Sequence, residues 1–298
     1  MWLVLCDAED RAARWAADGL RARGLDPVEV VEAGTLTRTA RSTHRIEEER
    51  GEGQDGVDSD RTGEDLPAGD AAAGDAPAGD RARFELTLPD GRKLASDAVH
   101  GVVNRLTHAP VGHLRFASPA DTAYAMAEWD ALVLSWIQCL APVTVNRPSA
   151  LGLSGTLRSP AEWTVLAAAA GLEVPPLRLT DDTTHEESTD RLSTRTLLVL
   201  GDEVYGGYGG YGVRGGHGVR DVHGVHIDEA LDGLSPACLS LARGAGADLL
   251  GIHLKPDAHT RHGARFAGAT LLPDLRIAGA PMLDGLHAYL TRLPARSR

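Results

Sequence analysis

The sequence predicts an α/β fold that begins with a parallel-sheet domain. Residues 2–6 form an apolar run that indicates a buried strand, an apolar pattern with helical spacing runs from Ala12 to Leu20, and residues 28–31 suggest a second strand. A strand, a helix and a strand in succession are typical of a right-handed βαβ unit in a parallel sheet. Two further strands near residues 248–255 and 265–272, and a helix from about 281 to 293, are predicted at the end of the chain.

The composition indicates a globular protein that does not bind nucleic acid. The 298 residues suit one large or two small domains, and 43% hydrophobic residues are enough to build cores. The net charge of -12 opposes contact with nucleic-acid phosphates, which requires clustered Lys and Arg. No apolar run approaches the length of a membrane span, and the first apolar run is too short for a signal peptide. We therefore expect a cytoplasmic protein without membrane contact.

The first helix and the segment after the second strand have distinct signatures. Asp7 is expected to cap the helix, with Asp10 at the capping-box position and Gly24 as the stop.

Residues 45–80 contain many acidic residues and glycines and almost no apolar side chain, so we expect a disordered acidic insertion there. Order resumes with a hairpin, whose strands at 84–88 and 92–95 flank a Pro-Asp-Gly turn. Residues 99–103 then indicate a further strand.

Three later helices are predicted to begin at a Ser-Pro pair. Serine caps free N–H groups, and proline at the first helical position loses no hydrogen bond. The pairs begin at Ser118, Ser159 and Ser235, and Asp121 and Glu162 are placed to complete capping boxes in the first two. Between the first two helices, residues 143–145 indicate a short strand.

The residues at the ends of these elements form an ordered series. In chain order they are Val103-Asn104-Arg105, Tyr124 and Glu128 on a long helix, Asn146-Arg147-Pro148, and Arg158 with the Ala-rich segment that ends at Pro175. This series resembles the region that joins the N-terminal domain of ATP-grasp ligases to their ATP-binding module. The branch it resembles best is the peptide-modifying, graspetide-type ligases. Arg158 stands where that family usually has a lysine.

The second half of the chain resembles the same family more loosely. Residues 196–205, with Gly-Asp-Glu-Val at the turn, resemble the strand that closes the ATP-binding module. Residues 248–252 resemble the strand that normally carries an aspartate for Mg²⁺. The resemblance implies a pre-ATP-grasp-like α/β domain at residues 1–150, with the acidic insertion at 45–80. It implies a reduced α+β ATP-grasp-like domain at residues 151–298.

The sequence departs from the family at positions that the family uses to bind ATP and Mg²⁺. ATP-grasp ligases activate a carboxylate as an acyl phosphate, and Mg²⁺ and cationic side chains stabilise the transferring group. Residues 176–195 are too few for the family's glycine-rich flap and contain four carboxylates between 181 and 187 but no lysine. Gly268-Ala269-Thr270 replaces the family's Glu-x-Asn pair of Mg²⁺ ligands. We therefore expect no cofactor, with ATP and Mg²⁺ bound only if the protein is a working ligase.

Several arginines follow strand ends, where the ligand crevice of an α/β sheet lies. Because the guanidinium group suits bidentate carboxylate binding, a site for a peptide or amino-acid carboxylate is predicted. Its candidate residues are Arg105, Arg115, Asn146, Arg147 and Arg158. The alternative is that these arginines are solvated or form ion pairs with the acidic surface.

A metal site is a weaker alternative, because the histidine spacing matches no zinc pattern. Its candidate ligands are His217, His223, His226, His253 and Asp274, of which Asp274 suits a hard cation. Surface loops are the favoured interpretation of the same histidines.

The sequence leaves three functions open and does not predict an oligomeric state. The first is a degenerate ATP-grasp-like protein, a pseudoenzyme that binds a peptide or a partner enzyme in a modification or biosynthetic pathway without ligating on its own. The second is an ATP- and Mg²⁺-dependent carboxylate-amine ligase. The third is a histidine-dependent metal-binding protein.

Overall fold

A four-stranded parallel sheet organises the first part of the computed structural model, which describes residues 1–36, 38, 41–48, 80–107, 118–140, 144–176, 194–207 and 233–292. Its strands are β1 (Trp2–Cys6), β2 (Val28–Glu32), β6 (Gly101–Arg105) and β7 (Thr144–Val145). They lie in the order β2-β1-β6-β7, and all neighbours are parallel. Helix α1 (Arg11–Ala22) connects β1 to β2, so the predicted βαβ unit is confirmed.

Helix α1 begins at a different cap from the one expected. The Asp10 carboxylate accepts a hydrogen bond from the Ala13 amide at 2.9 Å, which makes Asp10 the N-cap. The prediction that Asp7 caps the helix was therefore wrong. Asp7 instead accepts the Asp10 amide through its own carbonyl, in the turn that leads from β1 into the helix.

A three-stranded antiparallel sheet covers one side of the parallel sheet. It consists of β3 (Arg41–Glu48), β4 (Asp80–Thr87) and β5 (Lys93–Ala95), in that order. The pairing of β4 with β5 confirms the predicted hairpin. Residues 45–48 belong to β3 and Asp80 belongs to β4, so the disorder expected at residues 45–80 was wrong for these positions. The rest of that expectation, at residues 49–79, lies outside the described residues.

Two of the three Ser-Pro pairs cap their helices as predicted. Ser118 accepts the Asp121 amide at the start of α3 (Pro119–Cys139), which follows the short helix α2 (Ala33–Leu36). Ser159 and Glu162 form a complete capping box at the start of α4 (Pro160–Ala169). Ser235 differs, because it is the first helical residue of α5 (Ser235–Ala245), which has no side-chain cap.

The second part of the chain forms an antiparallel sheet with helices on both faces. Its strands are β8 (Arg195–Leu200), β9 (Glu203–Gly207), β10 (Leu249–Pro256) and β11 (Ala264–Thr270), in the order β11-β10-β8-β9. Buried side chains of α4 and α5 pack on one face, against Leu197, Val199 and Ile252. Helix α6 (Gly279–Arg292) packs on the opposite face, against Leu198 and Leu200.

Helix α6 also packs against the N-terminal part of the chain. Its fully buried Met282 and Leu286 share one cluster with Val4 of β1, Leu20 of α1 and Leu249 of β10. Residues on both sides of position 150 therefore contribute to a single hydrophobic core.

The three cysteines are free thiols. Cys6 and Cys238 are buried, and burial raises the pKa of Cys6 to about 11 and that of Cys238 to about 12. Both thiols therefore stay protonated near neutral pH and behave as core side chains. Within the described ranges, no helix has the length and apolarity needed to cross a membrane.

Candidate functional site

The carboxyl ends of β1 and β6 lie side by side and carry a buried ion pair. The Arg105 Nε donates to Asp10 Oδ2 at 2.7 Å, and Arg105 Nη2 approaches Asp10 Oδ1 at 3.4 Å. The side chain of Arg105 is only 4% exposed. Its Nη1 is buried without a hydrogen-bond partner. Since Asp10 also caps α1, this pair ties the end of β6 to the start of α1.

Asn146 joins the parallel sheet to the antiparallel sheet. Its Nδ2 donates to the carbonyls of Leu249 and Leu271, both at 2.9 Å, and its Oδ1 accepts the Leu249 amide at 2.8 Å. Its backbone amide donates to Asp248 Oδ2 at 3.0 Å. Asn146 was predicted to bind substrate, but its side-chain amide is fully engaged with the backbone of the second part of the chain.

A cleft of about 210 Å³ opens where β6, the loop after β7, α4 and β11 meet. We call it the Arg158 cleft. Its lining residues are Leu106, Thr107, Ser154, Thr156, Leu157, Arg158, Trp163, Ala269, Thr270, Leu271 and Leu272. Most of these side chains are apolar, and Arg158 is the charged residue among the described lining residues.

The Arg158 guanidinium is held over Trp163. Its Cζ lies 5.8 Å from the ring centroid, and Nη2 donates to the carbonyl of Ala245 at 3.3 Å. The Nε of Arg158 is buried and has no hydrogen-bond partner. An unpaired buried donor is unfavourable, by about 1–3 kcal/mol, so this group favours a ligand that can accept from it. The capping box of α4 fixes the helix that carries Trp163.

The described lining of the cleft does not fit Mg²⁺ and ATP, the cofactors that the ligase alternative requires. Mg²⁺ prefers carboxylate and phosphate oxygens, whereas the described lining residues offer hydroxyls but no carboxylate. The resemblance had placed Thr270 at a metal-ligand position, and in the structure its Oγ1 accepts the Leu272 amide at 3.1 Å. One described guanidinium is also little charge compensation for a triphosphate.

The candidate metal ligands are not brought together in the described part of the chain. Both carboxylate oxygens of Asp274 bind Arg276, at 2.8 and 2.7 Å, and these hydrogen bonds lower the pKa of Asp274. His253 Nδ1 lies 3.0 Å from Thr196 Oγ1, and burial lowers the pKa of His253. Among the described residues, no three His, Cys, Asp or Glu side chains could hold one metal ion. His217, His223 and His226 lie outside those residues.

Arg147 lies in a different depression, of about 470 Å³, which we call the Arg147 groove. Three elements form its rim, the β8–β9 turn and the ends of α5 and α6. Its charged and aromatic lining residues are Arg147, Asp202, Glu203, Tyr205, Arg243, Asp248, Tyr289 and Arg292. The predicted carboxylate site is therefore divided, with Arg158 in the cleft, Arg147 in the groove and Arg105 in its own ion pair with Asp10. Arg115 lies outside the described residues.

Sequence reasoning missed Arg243 and Arg292. Each lies in the last turn of its helix, where a basic residue interacts favourably with the helix dipole. That signal explains their position on the helix but does not indicate that both helices end at the same groove as Arg147.

Comparison with known proteins places the fold among ATP-grasp ligases. The macrocyclase MdnC bound with precursor peptide MdnA, from Microcystis aeruginosa MRC, is 10% identical with a TM-score of 0.58, over 98% of this chain and 99% of that chain. The ATP-grasp ligase PsnB complexed with minimal precursor is 16% identical with a TM-score of 0.54, over 97% and 98%. A Chryseobacterium gregarium RiPP-associated ATP-grasp ligase, in complex with ADP and a leader and core peptide, is 10% identical with a TM-score of 0.52, over 100% and 97%.

These likenesses confirm the predicted fold class. The chain has a mixed α/β fold of the ATP-grasp ligase type, with one parallel sheet and antiparallel sheets beside it. The sequence itself matches no family model and no curated protein. At 10–16% identity, the comparison concerns the fold alone.

Proposed function

We propose that the protein binds a peptide through a side-chain carboxylate in the Arg158 cleft and does not ligate it alone. The observation that carries this proposal is the fixed Arg158 guanidinium, whose buried Nε has no partner. The proposal agrees with the bound state of the structural neighbours, which include ligases solved with a precursor peptide.

The shape of the Arg158 group suits a carboxylate. Trp163 and the Ala245 carbonyl already hold the guanidinium in one orientation, so little rotamer freedom remains to be lost on binding. A carboxylate can accept from Nε and a second guanidinium nitrogen in a charge-assisted pair. The Leu106, Leu157 and Leu271 side chains lie around it and offer apolar area to the stem of the ligand.

The apolar lining favours a side chain of a peptide over a small polar anion. A glutamate side chain has a short apolar stem and a terminal carboxylate, and it can bury the stem against leucine and place the carboxylate at Arg158. Among the hydroxyls of the cleft, Ser154 donates to the Leu106 carbonyl at 2.6 Å and is already engaged. Arg158 supplies the charged contact of the described cleft, beside the hydroxyls of Thr107, Thr156 and Thr270.

The experiment compares two peptides that differ by one carboxylate. Fluorescence anisotropy would measure binding of a labelled peptide library that carries one glutamate in an apolar context, and of the same library with glutamine. We expect the glutamate library to bind about ten- to a hundred-fold more tightly, the range for hydrogen bonds to a charged group. Arg158→Gln should abolish this preference, whereas Arg261→Gln, an exposed arginine outside the cleft, should preserve it. Equal binding of the two libraries by the wild-type protein would contradict the proposal.

A working ligase is the second candidate, because PsnB has been solved with minimal precursor, Mg and ADP. Specific binding of a nucleotide stabilises the native state and raises its melting temperature. We expect no Mg²⁺-dependent rise with ATP, and no release of ADP in the presence of the glutamate library. A rise that requires both Mg²⁺ and ATP, accompanied by ADP release, would establish the ligase and reject the pseudoenzyme.

A further inference from the structure

The loop that follows β7 lines two neighbouring depressions. Its residues from 154 to 158 contribute to the Arg158 cleft, whereas residues 149–153 line a further depression of about 450 Å³ against α3. We call the latter the Leu151 groove. Thr107 lines both depressions, so a chain that leaves the cleft along this loop enters the groove.

Leu151 is presented to the groove by a tight turn. It is 65% exposed. Ser149 and Gly152 exchange backbone hydrogen bonds at 2.9 and 3.2 Å, and Ser149 Oγ accepts the Leu151 amide at 3.1 Å. A Cβ on Gly152 would collide with the Gly155 carbonyl, so the turn is closely packed. An exposed leucine on an ordered backbone loses little conformational freedom when a ligand covers it.

The opposite wall of the groove is apolar and acidic. Ala131 and Leu134 of α3 line it, and Asp130 is the charged residue among its described lining residues. Asp130 is exposed and forms no ion pair with a described residue. A ligand with apolar area and one positive charge therefore complements this wall.

The charges of α3 disfavour a second copy of the chain as the ligand. The charged residues of this helix are Asp121, Glu128 and Asp130, and it contains no Lys or Arg. Packing α3 against its own copy would bring carboxylates near carboxylates. A basic side chain pairs with Asp130 instead, and the net charge of -12 on the whole chain favours it as well.

We infer that the peptide bound in the Arg158 cleft continues into the Leu151 groove, where it places an apolar side chain against Leu151 and a lysine or arginine beside Asp130. The peptide thus carries a glutamate for the cleft and an apolar and a basic residue for the groove. This inference rests on the proposed function, because it extends the same peptide beyond the cleft.

The test uses labelled peptides with one glutamate, one leucine and one lysine in a glycine-serine background. The set varies the spacing between the glutamate and the leucine-lysine pair, and anisotropy selects the tightest binder. Replacing its lysine with glutamine should weaken binding about two- to five-fold, the range for an exposed ion pair, and added salt should reduce this difference. Replacing its leucine with serine should weaken binding at least about five-fold, as expected for an apolar anchor.

Variants of the protein assign each preference to its site. Asp130→Asn should abolish the preference for lysine, and Leu151→Ser should abolish the preference for leucine. Both should retain the preference for glutamate over glutamine, which Arg158→Gln should remove. The four replaced side chains of the two matched pairs are exposed, so circular dichroism should show an unchanged fold.

The matched controls change the same residue types outside the groove. Asp97→Asn removes an exposed carboxylate that precedes β6, whereas the groove lies beyond the other end of that strand. Val165→Ser removes an apolar side chain that is 60% exposed on α4. Both controls should bind every peptide as the wild type does.

Three results would overturn the inference. If the wild-type protein prefers glutamate but is indifferent to the lysine and the leucine, the Arg158 site stands and its extension into the groove does not. If it shows no preference for glutamate, the proposed function fails, and the shared peptide fails with it. If sedimentation velocity shows a dimer that Leu151→Ser dissociates, the groove is occupied by a second copy of the chain.

Discussion

A single residue, Asn146, makes hydrogen bonds between the two sheets that an interface usually distributes over many residues. Its φ of +57° lies in the left-handed region, which asparagine tolerates better than most residues with a Cβ. This backbone conformation directs the side-chain amide at the Leu249 and Leu271 backbone groups, and the residue is only 1% exposed. Asn146, which was predicted to contact substrate, therefore holds the two sheets together.

Replacing Asn146 tests how much its hydrogen bonds between the sheets contribute to stability. Asn146→Gly keeps the backbone conformation but leaves buried partners unpaired, so it should lower the free energy of unfolding by roughly 2–4 kcal/mol. Asn146→Ala should cost about 1 kcal/mol more, because alanine is strained at positive φ. Urea unfolding curves measure both changes. A loss below about 1 kcal/mol in the glycine variant would mean that water replaces the amide.

At the scale of the element, the same Ser-Pro pair has two structural outcomes. Ser159 exchanges hydrogen bonds with Glu162, with the Ser159 amide donating to Glu162 Oε2 at 2.7 Å. Ser235 lies inside the first turn of α5 and makes no cap. The local motif marks where a helix begins, but the preceding backbone decides whether the serine is the cap or the first helical residue.

These two serines form a matched pair of variants. Ser159→Ala removes a cap and should destabilise the protein by about 1 kcal/mol, whereas Ser235→Ala should change stability by less than about 0.5 kcal/mol. Thermal unfolding with calorimetry would measure both. Equal losses would show that the Ser159 capping box contributes nothing beyond the proline that follows it.

The same contrast explains how much the sequence alone could predict. Strands with continuous apolar runs, such as Trp2–Cys6 and Arg195–Leu200, and the Ser-Pro helix starts are local signals, and the structure confirms them. Strand β3 was missed because it lies in a polar stretch and exists through its pairing with β4. Asp7 and Asp10 both satisfy the local capping pattern, so the sequence could not select between them. The separation of Arg147 from Arg158, and the convergence of Arg243 and Arg292, depend on long-range packing that local patterns do not encode.

At the scale of the whole molecule, α6 unites the two halves of the chain. Leu286 is fully buried in a cluster that contains Val4 and Val103 of the parallel sheet and Leu198 and Leu249 of the antiparallel sheet. Both sheets bury side chains against this helix, and α1 packs into the same cluster. We therefore expect the two parts to unfold together.

The variant Leu286→Ala should lower the free energy of unfolding by about 2–5 kcal/mol, through lost burial and the cavity left behind. Leu151→Ala is the control, because Leu151 is 65% exposed and its truncation should be nearly neutral. Far-ultraviolet circular dichroism and tryptophan fluorescence should report one coincident transition in each case. Two separated transitions in the wild-type protein would show that the two sheets are independent cooperative units.

The bonds of Asn146 have a thermodynamic consequence for the Arg158 cleft and the Arg147 groove. The carbonyl of Leu271, a lining residue of the Arg158 cleft, and the carboxylate of Asp248, a lining residue of the Arg147 groove, are both held by this one residue. We therefore expect a ligand that shifts either partner to act on Asn146 and, through it, on the other depression. Linkage requires that effect to be reciprocal, so each ligand would alter the dissociation constant of the other by the same factor.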